Sequence, residues 1–440
     1  MAKLQNVRGT YDLYGEAKRK MKKVTSVGSE VVEKYGFEEI ETPIFEFTEV
    51  FSRNLGETSD VVTKEMYCFE DRGGESLTLR PEGTAGVVRS FVSEGMQQNL
   101  PVKLYYSGPM FRYERPQKGR QRQFTQFGCE LLGVETPQAD IEVIAMAYEF
   151  LEKLGLTGSV TVEINSLGDR ESRAAYREKL VAYLKSRYDE LSEDSKTRLE
   201  RNPLRVLDSK EECDKAVVED APLYKDSLNE ASSAFFNAVL KGLDNLGIKY
   251  KVNDRLVRGL DYYTRTVFEV QVDNGMGSQN AIGGGGRYDK LVEEVGGRPT
   301  PGLGFALGYE RCALALQAAG VEFPRAQHCD LFVACVDDSV HAEAFSLVQA
   351  FRDAGQSADM DHQKRSLKSQ FKLADKLNAL MVAILGPDEL SEGKVKVRNM
   401  TSHAERLVDL AAVKAILAKF SSEGAVLTPE QMGKALTEVE

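Results

Sequence analysis

Apolar residues at helical spacing mark the first part of the chain. Residues 17–35 place valines on one face and lysines on the other, which predicts an amphipathic helix ended by Gly36. The valines are Val24, Val27, Val31 and Val32. Residues 37–47 then alternate apolar and polar positions around Pro43, which predicts an edge or interface strand. A helix leading into such a strand fits a dimer seam, and it fits an ordinary surface helix and strand equally well.

A strand that runs through a turn into a helix comes next. Residues 77–84 have the strand and turn pattern, and residues 85–94 have the helical one. Glu82 and Thr84 lie at the helix entrance, where such side chains commonly cap the first turn. The alternative is that a carboxylate and a hydroxyl at fixed geometry hold an α-ammonium group.

Residues 111–133 have two strand-like ends around a basic loop. The cations of this loop are Arg112, Arg115, Lys118, Arg120 and Arg122. Pro116 and Gly119 break regular structure within it, so we expect the tip of a β-hairpin. The far arm, residues 124–130, alternates like a strand with one face in a pocket. The loop is either a solvated basic hairpin or a tip that presents cations to a polyanion.

The middle of the chain changes character after a predicted helix over 140–154 and a predicted strand over 160–165. The segment 169–247 is dense in charged residues, contains helical runs and has few strand signals. We interpret it as an inserted helical subdomain. It is either a lid or clamp over a large substrate or a long helical excursion of the same domain.

An arginine beside two tyrosines precedes the predicted strand 267–272. In the stretch LVRGLDYYT, Arg258 lies next to Gly259, and Tyr262 and Tyr263 follow in tandem. This pattern is typical of a packed core with a structural salt bridge. It also fits a cation at the mouth of an aromatic pocket.

Glycines dominate two later stretches. Residues 280–288, NAIGGGGRY, predict a glycine-rich turn, but the GK[ST] of a phosphate loop is missing. Four consecutive glycines let the backbone approach a ligand or another strand closely. Residues 300–311 run from a strand into a helix, and Arg311 lies in its first turn. Arg311 either pairs with a carboxylate or reaches a polyphosphate.

The hydrophobic pattern changes around residues 324–329, and from there it predicts short strands that alternate with helices. This alternation predicts a small α/β domain of roughly a hundred residues. Its final helix is expected over 408–420, and the polar stretch 421–440 is expected to form a tail. The basic cluster 364–368 is a solvated face unless the chain handles RNA.

Composition excludes several classes of protein. The 440 residues include 42% hydrophobic and 28% charged residues, without an apolar run long enough to span a membrane. The first residues lack an apolar signal core and six cysteines lack CxxC spacing, so we expect a cytoplasmic protein with reduced thiols. The net charge of -11 disfavours non-specific nucleic-acid binding but leaves room for a local basic patch.

Histidine is confined to the last third of the chain. Its four positions are His328, His341, His362 and His403. Chemistry in the first two thirds therefore uses no histidine base, no Cys/His pair and no histidine-ligated metal. Arginine and glutamate remain, which suits charge stabilisation of a phosphate reaction.

Together these motifs resemble those of the class II aminoacyl-tRNA synthetases, and within them the members specific for histidine. The helix and Pro43 strand resemble the dimer motif of the class, FRYERPQKGRQRQF its second motif and GLGFALGYER its third. LVRGLDYYT and IGGGGRYD resemble the two segments that mark the histidine enzymes, and TLRPEGT resembles their amino-acid loop. Besides the helix and strand, five sequence stretches in the right order make coincidence improbable.

The resemblance implies an α+β catalytic core with an antiparallel sheet of class II synthetase type over residues 1–325, carrying the helical insertion 169–247. It implies a C-terminal α/β anticodon-binding domain over 326–420, while the tail 421–440 is assigned no role. The implied activity is histidine–tRNA ligation, in which ATP with Mg²⁺ activates L-histidine and tRNA(His) receives it. A homodimer is implied, with a metal carried by the nucleotide rather than by a protein site, and with no prosthetic group.

The resemblance also implies roles for individual residues. Catalysis is expected from Arg258 and Arg112. Histidine is expected to be bound by Glu82, Thr84, Arg112, Gln126, Glu130, Arg258, Tyr262 and Tyr263. ATP is expected to contact Arg112, Glu114, Phe124 and Arg311. The acceptor end of tRNA is expected to meet Arg115 and Gln117.

Two rival functions compete with this interpretation. A synthetase-like regulatory protein would bind histidine without charging tRNA, and we would expect it to lose the arginines of the ATP site or the anticodon domain. A class II synthetase for another amino acid is disfavoured by LVRGLDYYT alone.

Overall fold

The computed structural model describes residues 3–53, 61–156, 158–273, 280–321 and 329–415. The chain divides into two compact units, one up to residue 323 and one from residue 324. No helix within the described residues is long and apolar enough to cross a bilayer.

The first unit contains strands and helices in alternation. Its strands are β1 (Glu38–Glu39), β2 (Phe45–Phe47), β3 (Tyr67–Glu70), β4 (Ser76–Leu79), β5 (Val102–Phe111), β6 (Gln123–Leu132), β7 (Val160–Ser166), β8 (Tyr250–Val252), β9 (Thr264–Val272), β10 (Ala281–Arg287) and β11 (Gly302–Gly308). Its helices are α1 (Gly15–Lys34), α2 (Thr48–Ser52), α3 (Thr84–Ser93), α4 (Pro137–Lys153), α5 (Arg170–Ser186), α6 (Glu193–Arg201), α7 (Glu212–Glu219), α8 (Glu230–Asn245), α9 (Leu291–Glu294) and α10 (Tyr309–Ala318).

A large sheet organises this unit, with the strand order β1-β5-β6-β11-β10-β9-β7-β8 within the described residues. Neighbours from β5 through β7 pair antiparallel, and only the outermost pairs β1·β5 and β7·β8 among these strands are parallel. Helices α1, α4, α8 and α10 bury their apolar sides together with one part of the sheet. The predicted antiparallel core is confirmed.

The hairpin and the first helix form as predicted. Strands β5 and β6 pair through Phe111 and Gln123, so the basic residues between them form the connecting loop. Helix α1 buries all four valines of its apolar face. The periodicity of the sequence is sufficient for both, since each apolar face has a partner within the same unit.

The single strand expected over residues 37–47 is wrong. The segment forms β1, at the edge of the large sheet, and β2, at the edge of a separate sheet of order β2-β4-β3. Glu38 is opposite Leu104, whereas Phe45 is opposite Leu79. Pro43 lies between the two strands and cannot donate a backbone hydrogen bond, so one ladder does not continue through it.

The glycine-rich turn expected over residues 280–288 is also wrong, because β10 lies in the middle of the large sheet between β9 and β11. A Cβ at Gly285 would lie 2.0 Å from the carbonyl oxygen of Gly304, and one at Gly284 would lie 2.3 Å from that of Phe268. The alternative of close approach to another strand is therefore confirmed.

Segment 169–247 lies between β7 and β8 and carries α5 to α8, with a 3₁₀ turn at Pro203–Asp208. Helices α5 and α7 belong to one buried cluster. Helix α8 packs instead on α4, where a Cβ at Gly242 would lie 2.1 Å from Cδ1 of Ile141. The last helix of the segment thus contributes to the main core.

The second unit is a small α/β fold. Its elements are β12 (Cys329–Cys335), α11 (His341–Asp353), β13 (Ala358–Met360), α12 (Leu367–Lys376), β14 (Ala379–Leu385), α13 (Pro387–Ser391), β15 (Lys394–Asn399) and β16 (Glu405–Asp409). The sheet order is β13-β12-β14-β15-β16, in which β12 pairs parallel with β13 and β14. Helices α11 and α12 belong to two different buried clusters of this sheet.

Residues 408–409 belong to β16, so the final helix begins at residue 410, two residues later than predicted. Residues 416–420 and the predicted tail 421–440 lie outside the described part of the chain.

Candidate active site

The N-terminus of α3 meets strand β6 at a buried pair of side chains. The hydroxyl of Thr84 donates to Oε1 of Glu130 at 2.6 Å. The Glu82 carboxylate accepts hydrogen bonds from the backbone N–H groups of Thr84, at 2.8 Å, and Ala85, at 2.7 Å. The predicted capping contact is thus present. Burial raises the pKa of Glu82, whereas its two backbone donors and Arg112 act to lower it.

Glu130 is enclosed by hydroxyl groups and is 1% exposed. Besides Thr84, the hydroxyl of Tyr288 donates to its Oε2 at 2.5 Å and that of Tyr106 to its Oε1 at 3.4 Å. Burial raises the pKa of Glu130 to about 8, Glu82 adds to the rise, and the three hydroxyl donors oppose it. The carboxyl group therefore lies at the border between its two protonation states near neutral pH.

Glycines make room for this carboxyl group. A Cβ at Gly304 of β11 would lie 2.1 Å from Oε2 of Glu130, across the β6·β11 pairing. Cβ atoms at Gly83 and Gly128 would lie 2.2 and 2.5 Å from the ring and hydroxyl of Tyr106. The sequence motifs predicted no site role for Tyr106, Tyr288 or Gly304. Strand glycines opposite a buried acid are the signal that could have revealed Gly304.

Tyrosines line the same pocket. Tyr262 lies 4.7 Å from Tyr263 and 5.7 Å from Tyr288 between ring centroids. All three rings are at most 8% exposed. Burial raises the pKa of each hydroxyl, so these groups stay protonated and act as hydrogen-bond donors.

Arg258 forms the salt bridge that one of the two sequence interpretations predicted. Its Nη1 pairs with Oε2 of Glu269 on β9, and its buried Nε has no hydrogen-bond partner within the described residues. Burial acts to lower the pKa of Arg258, but Glu269 and Tyr263 raise it, so that the net pKa lies above the ordinary value. The guanidinium is thus a permanent cation beside the tyrosines. A Cβ at Gly284 would lie 3.0 Å from its Nη1.

A second group of cations lies at the base of the hairpin loop. Nε of Arg112 donates to the carbonyl of Pro81 at 2.9 Å, and its guanidinium carbon lies 5.3 Å from the centre of the Phe124 ring. Glu114 lies 3.0 Å from Arg120 and 4.0 Å from Arg112. A single carboxylate facing two arginines leaves a local excess of positive charge.

Arg311 of α10 adds to this charge. Its side chain donates to the carbonyls of Ala281, at 2.5 Å, and Gly119, at 3.3 Å. Burial lowers the pKa of Arg311, and the neighbouring cations Arg120 and Arg112 lower it further. The arrangement is that of an anion site, because a polyanion would relieve the repulsion among these guanidinium groups.

The remaining predicted residues divide between the pocket and the loop tip. Gln126 on β6 has a buried Oε1 without a hydrogen-bond partner among the described residues. Arg115 and Gln117 are exposed on the loop, where Gln117 pairs with Arg120 in an isolated bridge. The structure buries the predicted histidine residues Glu82, Thr84, Glu130, Tyr262 and Tyr263, and it leaves the predicted ATP residues half-buried around the base of the hairpin loop. The predicted tRNA contacts lie at the surface.

One unit is an antiparallel sheet that carries a basic hairpin, a buried carboxylate and three clustered arginines, and the other is a separate α/β fold. Together they have the architecture of a class II aminoacyl-tRNA synthetase. The family model described as histidyl-tRNA synthetase matches residues 9–312, and the model of the anticodon binding domain matches residues 330–420. The chain belongs to the histidyl-tRNA synthetase family. The family predicted from the sequence motifs is therefore confirmed.

Similar proteins agree over nearly the full length. The histidine–tRNA ligase of Rhodospirillum rubrum is 51% identical over 96% of this chain and all of that one. The histidine–tRNA ligase of Anoxybacillus flavithermus is 49% identical over 92% of this chain and 96% of its own. The crystal structure of apo S. aureus histidyl-tRNA synthetase is 39% identical, with a TM-score of 0.80, and the match covers 95% of this chain and 100% of that one. The predicted fold class is confirmed.

Proposed function

We propose that this chain is a histidine–tRNA ligase that joins L-histidine to ATP as histidyl-adenylate, releases pyrophosphate, and transfers histidine to the 3′ end of tRNA(His). The observation that carries this proposal is the Glu130 pocket beside the arginine cluster. It offers an acceptor for an imidazole N–H within reach of cations for a polyphosphate. Membership of the family supports the same reaction.

Histidine is selected by Glu130. The carboxylate accepts a hydrogen bond from one imidazole nitrogen, and the buried hydroxyl of Tyr263 serves the other, with Tyr262 beside it. Glu82, Thr84 and Gln126 hold the α-ammonium group; the unpartnered Oε1 of Gln126 supports its part. A substrate without the N–H donor leaves Glu130 buried and unpaired, which a site of this kind rejects by about 10⁴–10⁵.

ATP lies against the hairpin. Phe124 stacks on adenine and Glu114 accepts from its amino group, while Arg112 contacts the α-phosphate and the substrate carboxylate, and Arg311 the γ-phosphate. Within the described residues, no group of three or more His, Cys, Asp or Glu side chains is placed to hold a metal ion. Mg²⁺ accompanies the nucleotide and is coordinated mainly by phosphate and water.

Arg258 is the catalytic residue of the first step. The histidine carboxylate attacks the α-phosphorus, the bond to the bridging oxygen breaks, and pyrophosphate leaves with the negative charge. The fixed guanidinium stabilises the charge that builds on the phosphoryl oxygens. One preorganised group of this kind contributes roughly 3–4 kcal/mol.

The second step transfers histidine to RNA. The terminal ribose hydroxyl of tRNA attacks the carbonyl carbon of the adenylate, and AMP leaves. No histidine side chain precedes His328 in the chain, so a phosphate oxygen of the adenylate takes the hydroxyl proton. Arg115 and Gln117 on the exposed loop tip meet the acceptor end, and the anticodon-binding unit holds the other end of the same RNA.

The protein acts in the cytoplasm as a homodimer. In this dimer, a second copy of the chain covers the small sheet β2-β4-β3. Phe45 and Phe47 on β2 are 53% and 57% exposed, and Phe69 on β3 is 45% exposed. Three exposed phenylalanines on one small sheet support a protein interface, because the surfaces of monomeric soluble proteins rarely carry such a cluster. The homodimer is therefore part of this proposal.

The rival regulatory role finds no support in the site. Arg112, Arg258 and Arg311 are all present, as is the anticodon-binding domain. A structure described as an ATP phosphoribosyltransferase regulatory subunit/histidyl-tRNA synthetase from Bacillus halodurans C is 22% identical with a TM-score of 0.64, which is a likeness of fold alone.

Pyrophosphate exchange into ATP tests the proposal. Each of the twenty amino acids is offered to the wild type, to Arg258→Ala and to the control Arg255→Ala, whose side chain contacts only the carbonyls of Val218 and Glu219 among the hydrogen bonds of the described residues. We expect exchange with histidine alone, a loss of about 10²–10³ in Arg258→Ala, and a change below about threefold in the control.

Results that differ from these expectations would change the specificity, the activity or the role of Arg258 in the proposal. Exchange with another amino acid overturns the specificity, and absence of exchange with histidine still bound supports the regulatory role. Normal exchange in Arg258→Ala would leave the reaction standing and remove Arg258 from it.

A further inference from the structure

The loop of residues 258–263, called here the Arg258 loop, has irregular structure. Neither a helix nor a strand includes it; residues 261 and 262 form a turn, and within the described residues no backbone–backbone hydrogen bond of good geometry involves the loop. A segment without such bonds depends on side-chain contacts to keep one conformation. The packed rings of Tyr262 and Tyr263 and side chains from elsewhere in the chain therefore both hold Arg258, the proposed catalytic residue.

Helix α5 supplies the first support. Nη1 of Arg173 donates to the carbonyl of Tyr263 at 3.0 Å, and its Nη2 donates to the carbonyl of Asp261 at 3.2 Å. Two backbone oxygens of the Arg258 loop are thus fixed by one guanidinium group from segment 169–247.

Asp261 provides the second support. Its Oδ1 lies 3.0 Å from Nη2 of Arg205, and its Oδ2 accepts from Nδ2 of Asn202 at 2.9 Å. Arg205 also donates to the carbonyl of Gly259, the residue directly after Arg258. The side chains of Arg205 and Asp261 are 12% and 21% exposed, so solvent screens this ion pair less than a surface pair.

Arg258 itself is held on the other side by Glu269 of β9. The loop therefore contacts the sheet on one side and segment 169–247 on the other, and its geometry depends on both. A small displacement matters, because a misplacement of about 1 Å in a catalytic group can cost about 10²-fold in rate.

We propose that Asp261 is a positioning residue for adenylate formation, acting through Arg205 and Asn202 to fix the backbone of the Arg258 loop. The inference rests on the proposed function of Arg258 and extends it to the helical segment. Segment 169–247 is then part of the catalytic apparatus of the first step, and not only a cover for a large substrate.

The chain offers a matched control at the same junction. Lys225 of the segment pairs with Asp254 at 2.9 Å, but in the described residues neither side chain is hydrogen-bonded to the Arg258 loop. Asp261→Ala and Asp254→Ala each remove a carboxylate that joins segment 169–247 to the main body. Only Asp261 belongs to the Arg258 loop.

Steady-state pyrophosphate exchange with histidine separates positioning from mere structural support. For Asp261→Ala we expect kcat to fall by about 30- to 100-fold while the KM for ATP changes less than about threefold, because the residues proposed to bind ATP lie outside the Arg258 loop. Asp254→Ala should stay within about twofold of wild type. Arg205→Met should resemble Asp261→Ala, the double variant should be no worse than either, and Arg205→Lys should recover most of the activity.

Hydrogen–deuterium exchange of the peptide covering residues 258–263 gives a readout independent of activity. We expect faster exchange there in Asp261→Ala and unchanged exchange in Asp254→Ala. If Asp261→Ala does not fold, Asp261→Asn replaces it, with the same expected direction.

An unchanged kcat, a loss confined to the KM for ATP, or additive effects of the two single variants would overturn the role of Asp261 while leaving the ligase activity intact. A wild type without histidine-dependent exchange would instead remove the proposed function and this inference with it.

Discussion

Replacing Glu130 by glutamine removes a titrating carboxyl from the bottom of the pocket while keeping its shape. The amide oxygen still accepts from Thr84, and the amide nitrogen has the hydroxyl of Tyr288 as an acceptor. The substitution therefore isolates the cost of keeping an ionisable group in this buried position.

The size and sign of this cost follow from the pKa of Glu130, which rises from an ordinary 4.5 to about 8, first because of burial and then because of Glu82. Below about pH 4.5 the carboxyl is protonated in both folded and unfolded chains. Between about 4.5 and 8 the folded chain binds more protons, so the free energy of unfolding falls as the pH rises. The loss is complete above about pH 8 and amounts to about 5 kcal/mol.

Urea unfolding at pH 5, 7 and 9 measures the effect in wild type and Glu130→Gln. Relative to wild type, the variant should gain stability at roughly 1.4 kcal/mol per pH unit across this window, levelling off near pH 8. At the same time it should lose histidine-dependent pyrophosphate exchange, since glutamine cannot reproduce the charge of the acceptor. The variant would thus be the more stable and the less active protein at pH 9.

Asp214 is the control of opposite sign. Burial acts to raise the pKa of its carboxyl, but the hydroxyls of Ser195, Ser209 and Ser192 hold it below the ordinary 3.8. Stability from this group is present above that value and is lost only as the pH falls through the folded pKa. The difference between wild type and Asp214→Asn should therefore stay constant from pH 5 to 9. A constant difference for Glu130→Gln as well would refute the reasoning about Glu130.

Three further outcomes are expected. Gly304→Ala puts a methyl group where Oε2 of Glu130 lies, so calorimetry should show histidine affinity reduced at least about tenfold; unchanged affinity would contradict the close approach. Arg287→Met leaves Asp140 buried without its partner at 2.6 Å, so the free energy of unfolding in urea should fall by about 3–5 kcal/mol; a fall below about 1 kcal/mol would show that the pair is dispensable. Phe47→Asp should shift sedimentation from dimer to monomer, and an unchanged profile would argue for another interface.

Elements with a strong period and a local partner were predictable from sequence. The α1 valines, the β5–β6 hairpin and the alternation of strands and helices from β12 to β14 in the second unit match expectation, because each apolar face is specified within a short stretch. The short strand β16 escaped prediction. It is five residues long and mostly exposed, so its pattern carries little signal.

The candidate site was recognised through motifs rather than through geometry. Glu130 and Arg258 were singled out because of the stretches that contain them, while Tyr106 and Tyr288 were missed. Tyr288 reaches Glu130 from 158 positions away in sequence. A contact of that kind depends on the pairing of β6, β11 and β10 and leaves no mark on local periodicity.

By itself, the sequence determined the amphipathic first helix, the basic hairpin, the confinement of histidine to the last third and the family motifs. These are properties of residue type and spacing. Only the tertiary structure decided that the four glycines of β10 form an interior strand, that residues 37–47 divide between two sheets, and that helical side chains hold the Arg258 loop. The physical reason is that burial, strand neighbours and ion-pair partners come from distant parts of the chain, and they exist only once the chain has folded.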